Sequence, residues 1–283
     1  MLVAGCVSPA HIAVDSVAGT SGFEREVVQG DGFRHVVYRH LAGHDAGRPD
    51  AKKVLHIYIE GDGRPWQSRM RIAGDPTSRF NLMLKLMRQE RRDAIYVGRP
   101  CYLGLARDDN CSSNDWTYGR FSSAVIDSMA SVISAFARDY AGVVLLGHSG
   151  GGTLAVLLAE RVRATRAVVT VAANLDTTAW TDYHRYTPLV DSRNPASRPP
   201  LPIHIRQLHL LGELDLNIPP RRANDWLSRQ RNADVWRFDR YVHNCCWGRV
   251  WPDVLNWLDG VSGSKDLVVD QAVPMPALNN RDG

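Results

Sequence analysis

The segment Gly147-His148-Ser149-Gly150-Gly151 joins the apolar run Val143–Leu146 to a stretch of helical character. A serine between small residues at such a junction is suited to nucleophilic chemistry. A side chain at the tip of a tight strand-to-helix turn sits in strained backbone space, so its neighbours must be small. The turn lifts the hydroxyl clear of the sheet. It also points the first helix amides, at the positive end of the dipole, toward a developing oxyanion. A serine hydroxyl is a weak nucleophile at neutral pH and needs a base within hydrogen-bond reach. Two later loops offer partners. Gly212-Glu213-Leu214-Asp215 follows the run Leu208–Leu211, and Asp239-Arg240-Tyr241-Val242-His243 follows Val235–Phe238. The expected set is Ser149 as nucleophile, His243 as base and Asp215 as the carboxylate that orients it. Glu213 is the local competitor of Asp215. The chemistry such a set performs is acyl transfer.

These residues act together only if the elements bearing them share an edge. The sequence alternates apolar strand with amphipathic helix, which predicts a mostly parallel sheet with right-handed crossovers and helices on both faces. A hairpin is expected from Arg25–Gln29 and Phe33–His40, split by Gly30-Asp31-Gly32. Strands are then expected at Val54–Ile59, Ala94–Val97, Val143–Leu146, Ala167–Ala172, Leu208–Leu211 and Val235–Phe238. Helices are expected from Pro76 to Gln89 with Asp75 as cap, from Ser122 or Ser123 to Tyr140, and at Thr153–Arg161, Pro219–Ser228 and Val250–Leu258. In a parallel sheet the strand C-termini lie on one edge, which is where Ser149, Asp215 and His243 fall. Asn174–Pro202 has no clear place in this alternation and is expected to form a small lid. The expected organisation is an N-terminal tether over residues 1–22, one α/β domain over 23–260, and a disordered tail over 261–283.

The order serine, acid, histidine on consecutive late strands resembles the α/β-hydrolase superfamily over roughly Phe33 to Leu258. A further resemblance is to a group of uncharacterised bacterial exported or lipoprotein-like α/β hydrolases. It is carried by Ile59-Glu60-Gly61-Asp62-Gly63-Arg64-Pro65-Trp66, Gly98-Arg99-Pro100-Cys101, Trp116-Thr117, Arg120-Phe121-Ser122 and His243-Asn244-Cys245-Cys246-Trp247. The resemblance implies a serine hydrolase that cleaves carboxylic esters through an acyl-enzyme, without a cofactor. Thioesterase, acyltransferase and peptidase chemistry use the same triad, and a non-catalytic envelope binding module could keep the fold. The resemblance also implies an oxyanion hole of backbone N–H groups from Gly150 and Asp62, with Gly61 as fallback. Where the family commonly has His-Gly, this chain has Glu60-Gly61, so only backbone roles carry over. A carboxylate at Asp62 needs neutralising, and Arg64 and Arg99 are the expected cations. His148 reads as packing. His184 with Asp176 is a weaker second acid/base pair. Trp66, Tyr102, Trp116, Trp180 and Trp247 would fill either an acyl pocket or the core.

The rest of the 283-residue sequence narrows the options. Its 44% hydrophobic and 23% charged residues are those of an ordinary globular chain. A net charge of +4, with arginines scattered along the sequence, argues against nucleic acid as a partner. The partner expected is a small-molecule or acyl ester substrate. No Cys/His cluster has zinc spacing, so no metal is expected. Gly150-Gly151-Gly152 lacks the lysine of a phosphate loop. Leu2-Val3-Ala4-Gly5-Cys6 resembles a bacterial lipobox, which implies membrane tethering through a lipidated Cys6 and a location in the cell envelope. The apolar stretch before Cys6 is shorter than the roughly 7–15 residues of a signal peptide, so that reading needs a leader upstream of Met1. The alternatives are a chance Ala-Gly-Cys and a cytoplasmic protein. Cys101 and Cys111 bracket a polar loop that a disulfide could staple. Cys245 and Cys246 are adjacent, and a free thiol pair, a mutual bond or another pairing all stay open.

Overall fold

A computed structural model describes residues 10–42 and 54–262. The chain opens with helix α1 (Ala10–Thr20) and the antiparallel hairpin β1 (Glu24–Gln29) and β2 (Arg34–His40). Strand β3 (Val54–Ile59) is followed by a small hairpin of β4 (Trp66–Ser68) and β5 (Arg71–Ile72), then α2 (Leu82–Met87) and β6 (Ala94–Val97). The second half runs α3 (Ser123–Phe136), β7 (Gly142–His148), α4 (Gly150–Ala159), β8 (Thr165–Val171), α5 (Thr177–His184), β9 (Arg206–Gly212), α6 (Asn224–Leu227), β10 (Ala233–Phe238) and α7 (Trp251–Ser262). Eight strands form one sheet in the order β1-β2-β6-β3-β7-β8-β9-β10. From β6 to β10 every neighbouring pair is parallel, whereas β2 pairs antiparallel with both β1 and β6.

The central strands are apolar throughout because both of their faces are covered. Alternate residues point to opposite sides. Val144 and Leu146 of β7 join Tyr58 and the residues of α1, α2 and α7 in one core cluster. Val143 and Leu145 join Leu55, Ile57 and the residues of α3 and α4 in the other. Ser122 caps α3 by accepting the Val125 N–H at 3.3 Å, as its sequence position suggests.

Four expectations need correction. Residues 10–20 are a helix within the expected tether, and its Val14 and Ala18 are buried in the core. Cys6 and the rest of residues 1–9 lie outside the described residues, as do residues 263–283 of the expected tail; α7 extends to Ser262. Asp75 does not cap a helix: its carboxylate accepts the Thr77 N–H at 2.9 Å, and α2 begins only at Leu82. Pro219–Ser228 is not one helix but a short 3-10 turn followed by the four residues of α6. The segment 174–202 contains α5, whose first amides, Thr178 and Ala179, donate to Asp176. No helix among the described residues is long and apolar enough to cross a membrane. Both cysteine pairs are bonded, Cys101 to Cys111 with Cα atoms 5.7 Å apart and Cys245 to its neighbour Cys246.

The β7–α4 turn is packed directly on the end of β3. A Cβ on Gly151 would lie 2.2 Å from the Ile59 carbonyl oxygen and 2.5 Å from that of Glu60. Both are backbone atoms of the sheet and its exit loop, so neither can swing aside. Gly151→Ala is therefore expected to cost about 3 kcal/mol through overpacking, seen as a lower denaturant midpoint at unchanged slope.

Candidate active site

Ser149 stands between β7 and α4 with φ 54° and ψ −122°. That is left-handed backbone for a residue with a Cβ, and it turns the side chain out of the strand direction. The Ser149 N–H donates to the Val171 carbonyl at 2.9 Å, which ties the turn to β8. Gly147 permits the turn to close, since a Cβ there would meet the Gly151 carbonyl at 2.2 Å.

The two partners come from the loops after β9 and β10. His243 Nε2 lies 3.0 Å from Ser149 Oγ, and His243 Nδ1 lies 2.8 Å from Asp215 Oδ2. The other carboxylate oxygen of Asp215 accepts the N–H groups of Asn217 and Ile218, each at 2.8 Å. Asp215 is thus fixed by its own turn and is buried to within 1% of its side-chain surface. Glu213, its competitor in the sequence, instead pairs with Arg237 at 2.9 Å on the surface. Geometry of this kind sets the imidazole with one nitrogen toward a hydroxyl and the other on a carboxylate. It is the arrangement that allows proton removal from the hydroxyl.

No protein-family model and no curated protein sequence matches the chain. Solved structures do. A bacterial membrane phospholipase A, described as a virulence factor, aligns at 16% identity over 90% of this chain and 92% of its own, with a TM-score of 0.59. A serine hydrolase without a lid from Xanthomonas campestris aligns at 14% identity over 84% of this chain and 93% of its own, with a TM-score of 0.51. A Pyrococcus furiosus esterase aligns at 11% identity over 86% and 92%, with a TM-score of 0.56. The chain has the α/β-hydrolase fold.

The antiparallel hairpin at one edge of this α/β-hydrolase sheet leaves β3 central, and the loop leaving β3 comes to the Ser149 turn. A Cβ on Gly150 would lie 1.9 Å from Asp62 Oδ1. The Asp62 carboxylate is therefore beside the first residue of α4. Its partners are Arg99, at 2.5 Å, and Arg120, at 2.9 Å, whose side chains are 2% and 7% exposed. Burial pushes the Asp62 carboxyl up, but Arg120 and Arg99 together hold it below the ordinary carboxylate range. Arg64, one of the two expected cations, reaches back to the Gln67 carbonyl instead. Arg120, which precedes the cap of α3, takes that place; among the sequence signals it stood out only within the Arg120-Phe121-Ser122 resemblance.

The Glu60 carboxylate has its own partners, and its Oε1 lies 3.7 Å from His148 Nδ1. Its Oε2 accepts the Met83 N–H at 3.0 Å in the first turn of α2, whose own cap residue Asn81 supplies no side-chain bond. Glu60 Oε1 accepts the Gly61 N–H at 3.3 Å. The Gly61 amide is thus engaged, in contrast to its expected reserve role. Among the described residues, the Gly150 and Asp62 N–H groups donate to no protein acceptor.

His148, read as packing, and several of the aromatic residues have defined tasks here. His148 Nε2 lies 3.0 Å from the His243 carbonyl, and the two rings are 4.8 Å apart. Trp247 donates its indole N–H to the same carbonyl at 3.0 Å. Tyr102 donates its hydroxyl to the Asp62 carbonyl at 3.0 Å. Trp180 donates to the Asn217 carbonyl at 3.0 Å, and His184 Nε2 lies 2.7 Å from it. The proposed second pair is thereby dissolved: Asp176 caps α5 while His184 braces the Asp215 turn. Trp116 is buried and donates to the Ala73 carbonyl, and Trp66 packs edge-on against Tyr118.

Burial lowers the His243 pKa; the hydrogen bond to Asp215 opposes this, nearby His148 adds to it, and Asp62 opposes it from farther off. Removing one of the two guanidinium partners of Asp62 leaves more of its negative charge facing the imidazole. Arg120→Gln is expected to shift the His243 titration, followed by imidazole NMR, to higher pH. The loss of a buried ion-pair partner should also cost about 1–3 kcal/mol, less than an unpaired buried charge because Arg99 remains.

Proposed function

We propose that the chain is a serine hydrolase of carboxylic esters, acting through an acyl-enzyme on Ser149. The observation that carries this reading is the contiguous path from Ser149 Oγ through His243 to Asp215, with contacts of 3.0 and 2.8 Å. His243 takes the hydroxyl proton as Ser149 attacks the ester carbonyl, and Asp215 holds the tautomer and stabilises the imidazolium. The N–H groups of Gly150 and Asp62 receive the oxyanion, each donor in such sites contributing about 3–4 kcal/mol. The alkoxide leaving group takes the proton from His243, and water, deprotonated by the same imidazole, releases the acid.

The Asp62 carboxylate beside this site would oppose an oxyanion if it stood alone. Arg99 and Arg120 neutralise it, so the loop keeps its shape without presenting net negative charge to the transition state. Likeness to an esterase and to a phospholipase, as those proteins are described, is in keeping with ester cleavage, and likeness to a proline iminopeptidase keeps peptide cleavage as the second reading. Two disulfides support an oxidising compartment, in keeping with the cell-envelope location that the Cys6 motif suggests.

Ser149→Ala is expected to abolish fluorophosphonate labelling and to reduce p-nitrophenyl acetate turnover at least 10³-fold or so. Labelling that survives the substitution would reject Ser149 as the nucleophile. Product analysis with added alcohol or thiol acceptors separates hydrolysis from acyl transfer. The pH dependence follows from the direction of the His243 shift. The base works only when neutral, so activity is lost as pH falls through its pKa, and a lowered pKa places that loss on the acid side of the ordinary value of 6.5. A kcat/KM profile whose acid limb has its midpoint at or above that value would contradict the burial of the imidazole.

A further inference from the structure

The loops around the proposed site carry large apolar side chains that face solvent. Leu214 and Leu216 flank Asp215, and Leu216 is 79% exposed. Val242, directly before His243, is 40% exposed. The most exposed of all is Met70, at 94%, in the turn of the β4–β5 hairpin. Each of these loops leaves the C-terminal end of a parallel strand, β3, β9 or β10, so all project from the sheet edge that bears Ser149.

The hairpin has a marked charge. Trp66–Ile72 contains two arginines, Arg69 and Arg71, and no acid; the nearest acid that follows is Asp75. Asp75 is turned to Thr77 and faces His11, so it does not offset the hairpin turn. Met70 lies between Arg69 and Arg71, both exposed, and neither guanidinium meets a carboxylate among the described residues. The hairpin starts at Trp66, shortly after Asp62.

We propose that this edge of the protein docks on an anionic phospholipid surface, with the Arg69-Met70-Arg71 turn as an insertion point, so that Ser149 faces ester bonds held in that surface. The proposal rests on the ester-hydrolase reading above and adds where its substrate resides. Charge complementarity favours this occupant. Arginines at an anionic leaflet each strengthen binding by about fivefold, the equivalent of about 1 kcal/mol. Their aliphatic stems lie along the apolar boundary while the guanidinium groups stay among the headgroups. A protein partner would need a contiguous, shape-matched patch. Separate apolar tips on different loops can each enter a fluid surface without one.

The test is sedimentation with vesicles of equal parts phosphatidylglycerol and phosphatidylcholine, beside vesicles of phosphatidylcholine alone. Expected is binding to the anionic vesicles, weakened by added salt, and a drop of at least about 25-fold in Arg69→Ser/Met70→Ser/Arg71→Ser, two arginines at about fivefold each. Turnover of p-nitrophenyl acetate in solution should be unchanged in that variant, which also shows that it is folded. Wild-type protein that stays in the supernatant, or a variant that binds as well as wild type, would overturn the proposal. So would a concentration-dependent dimer that the variant abolishes while vesicle binding is absent. Loss of acetate turnover by wild-type protein would instead strike at the hydrolase reading, so the two failures are separable.

Discussion

Ser149 is held at φ 54° in a turn with no room on either side, and the rest of the edge is arranged around it. A left-handed residue with a Cβ costs about 1–3 kcal/mol, so the surrounding structure must hold it there. The holding contacts are mostly backbone. Val171 accepts its N–H from the β8 side, and the bare Cα atoms of Gly147 and Gly151 let the turn close on itself and on the carbonyls of Ile59 and Glu60. The same tight contact brings the loop leaving β3 beside the first residue of α4. One local strain therefore fixes the hydroxyl and puts Asp62 next to Gly150.

Precision at the other loops comes from aromatic side chains used through their polar atoms. Tyr102 holds the carbonyl of Asp62, Trp180 that of Asn217 in the Asp215 turn, and Trp247 that of His243. A ring of this size is locked by packing, so a hydrogen bond from it transmits the rigidity of the core to an exposed loop. The Asp215 turn gains a second brace from His184, and the His243 carbonyl a second from His148. The vicinal bond of Cys245 and Cys246 closes the chain just beyond His243, between that residue and the buried Trp247.

The electrostatics divide along the same edge. Asp215 is paired with the imidazole and with two backbone amides, and its charge serves His243. Asp62 is paired with two buried guanidinium groups, and its charge is spent on them. Glu60 is spent on the start of α2. Three carboxylates lie on the loops around one serine turn, yet among the described residues only Asp215 is bonded to His243, because hydrogen bonding rather than proximity decides how each charge is used.

The sequence alone determined the fold class, the eight strands of the main sheet and which serine, aspartate and histidine stand at its one edge, but not the small hairpin of β4 and β5. Those depend on local rules: apolar runs of strand length, glycine where a turn forbids a Cβ, and polar residues just past strand ends. What it left hidden depends on contacts between distant residues. Helix α1 mixes small apolar residues with polar ones and is held by Val14 and Ala18, which meet the core, while the start of α2 waits for the Glu60 carboxylate rather than for Asp75. Arg120 neutralises Asp62 across 58 positions, and His148 reaches His243 across 95. Side-chain bonds of that range leave no periodicity or spacing to read, so only the folded chain could decide them.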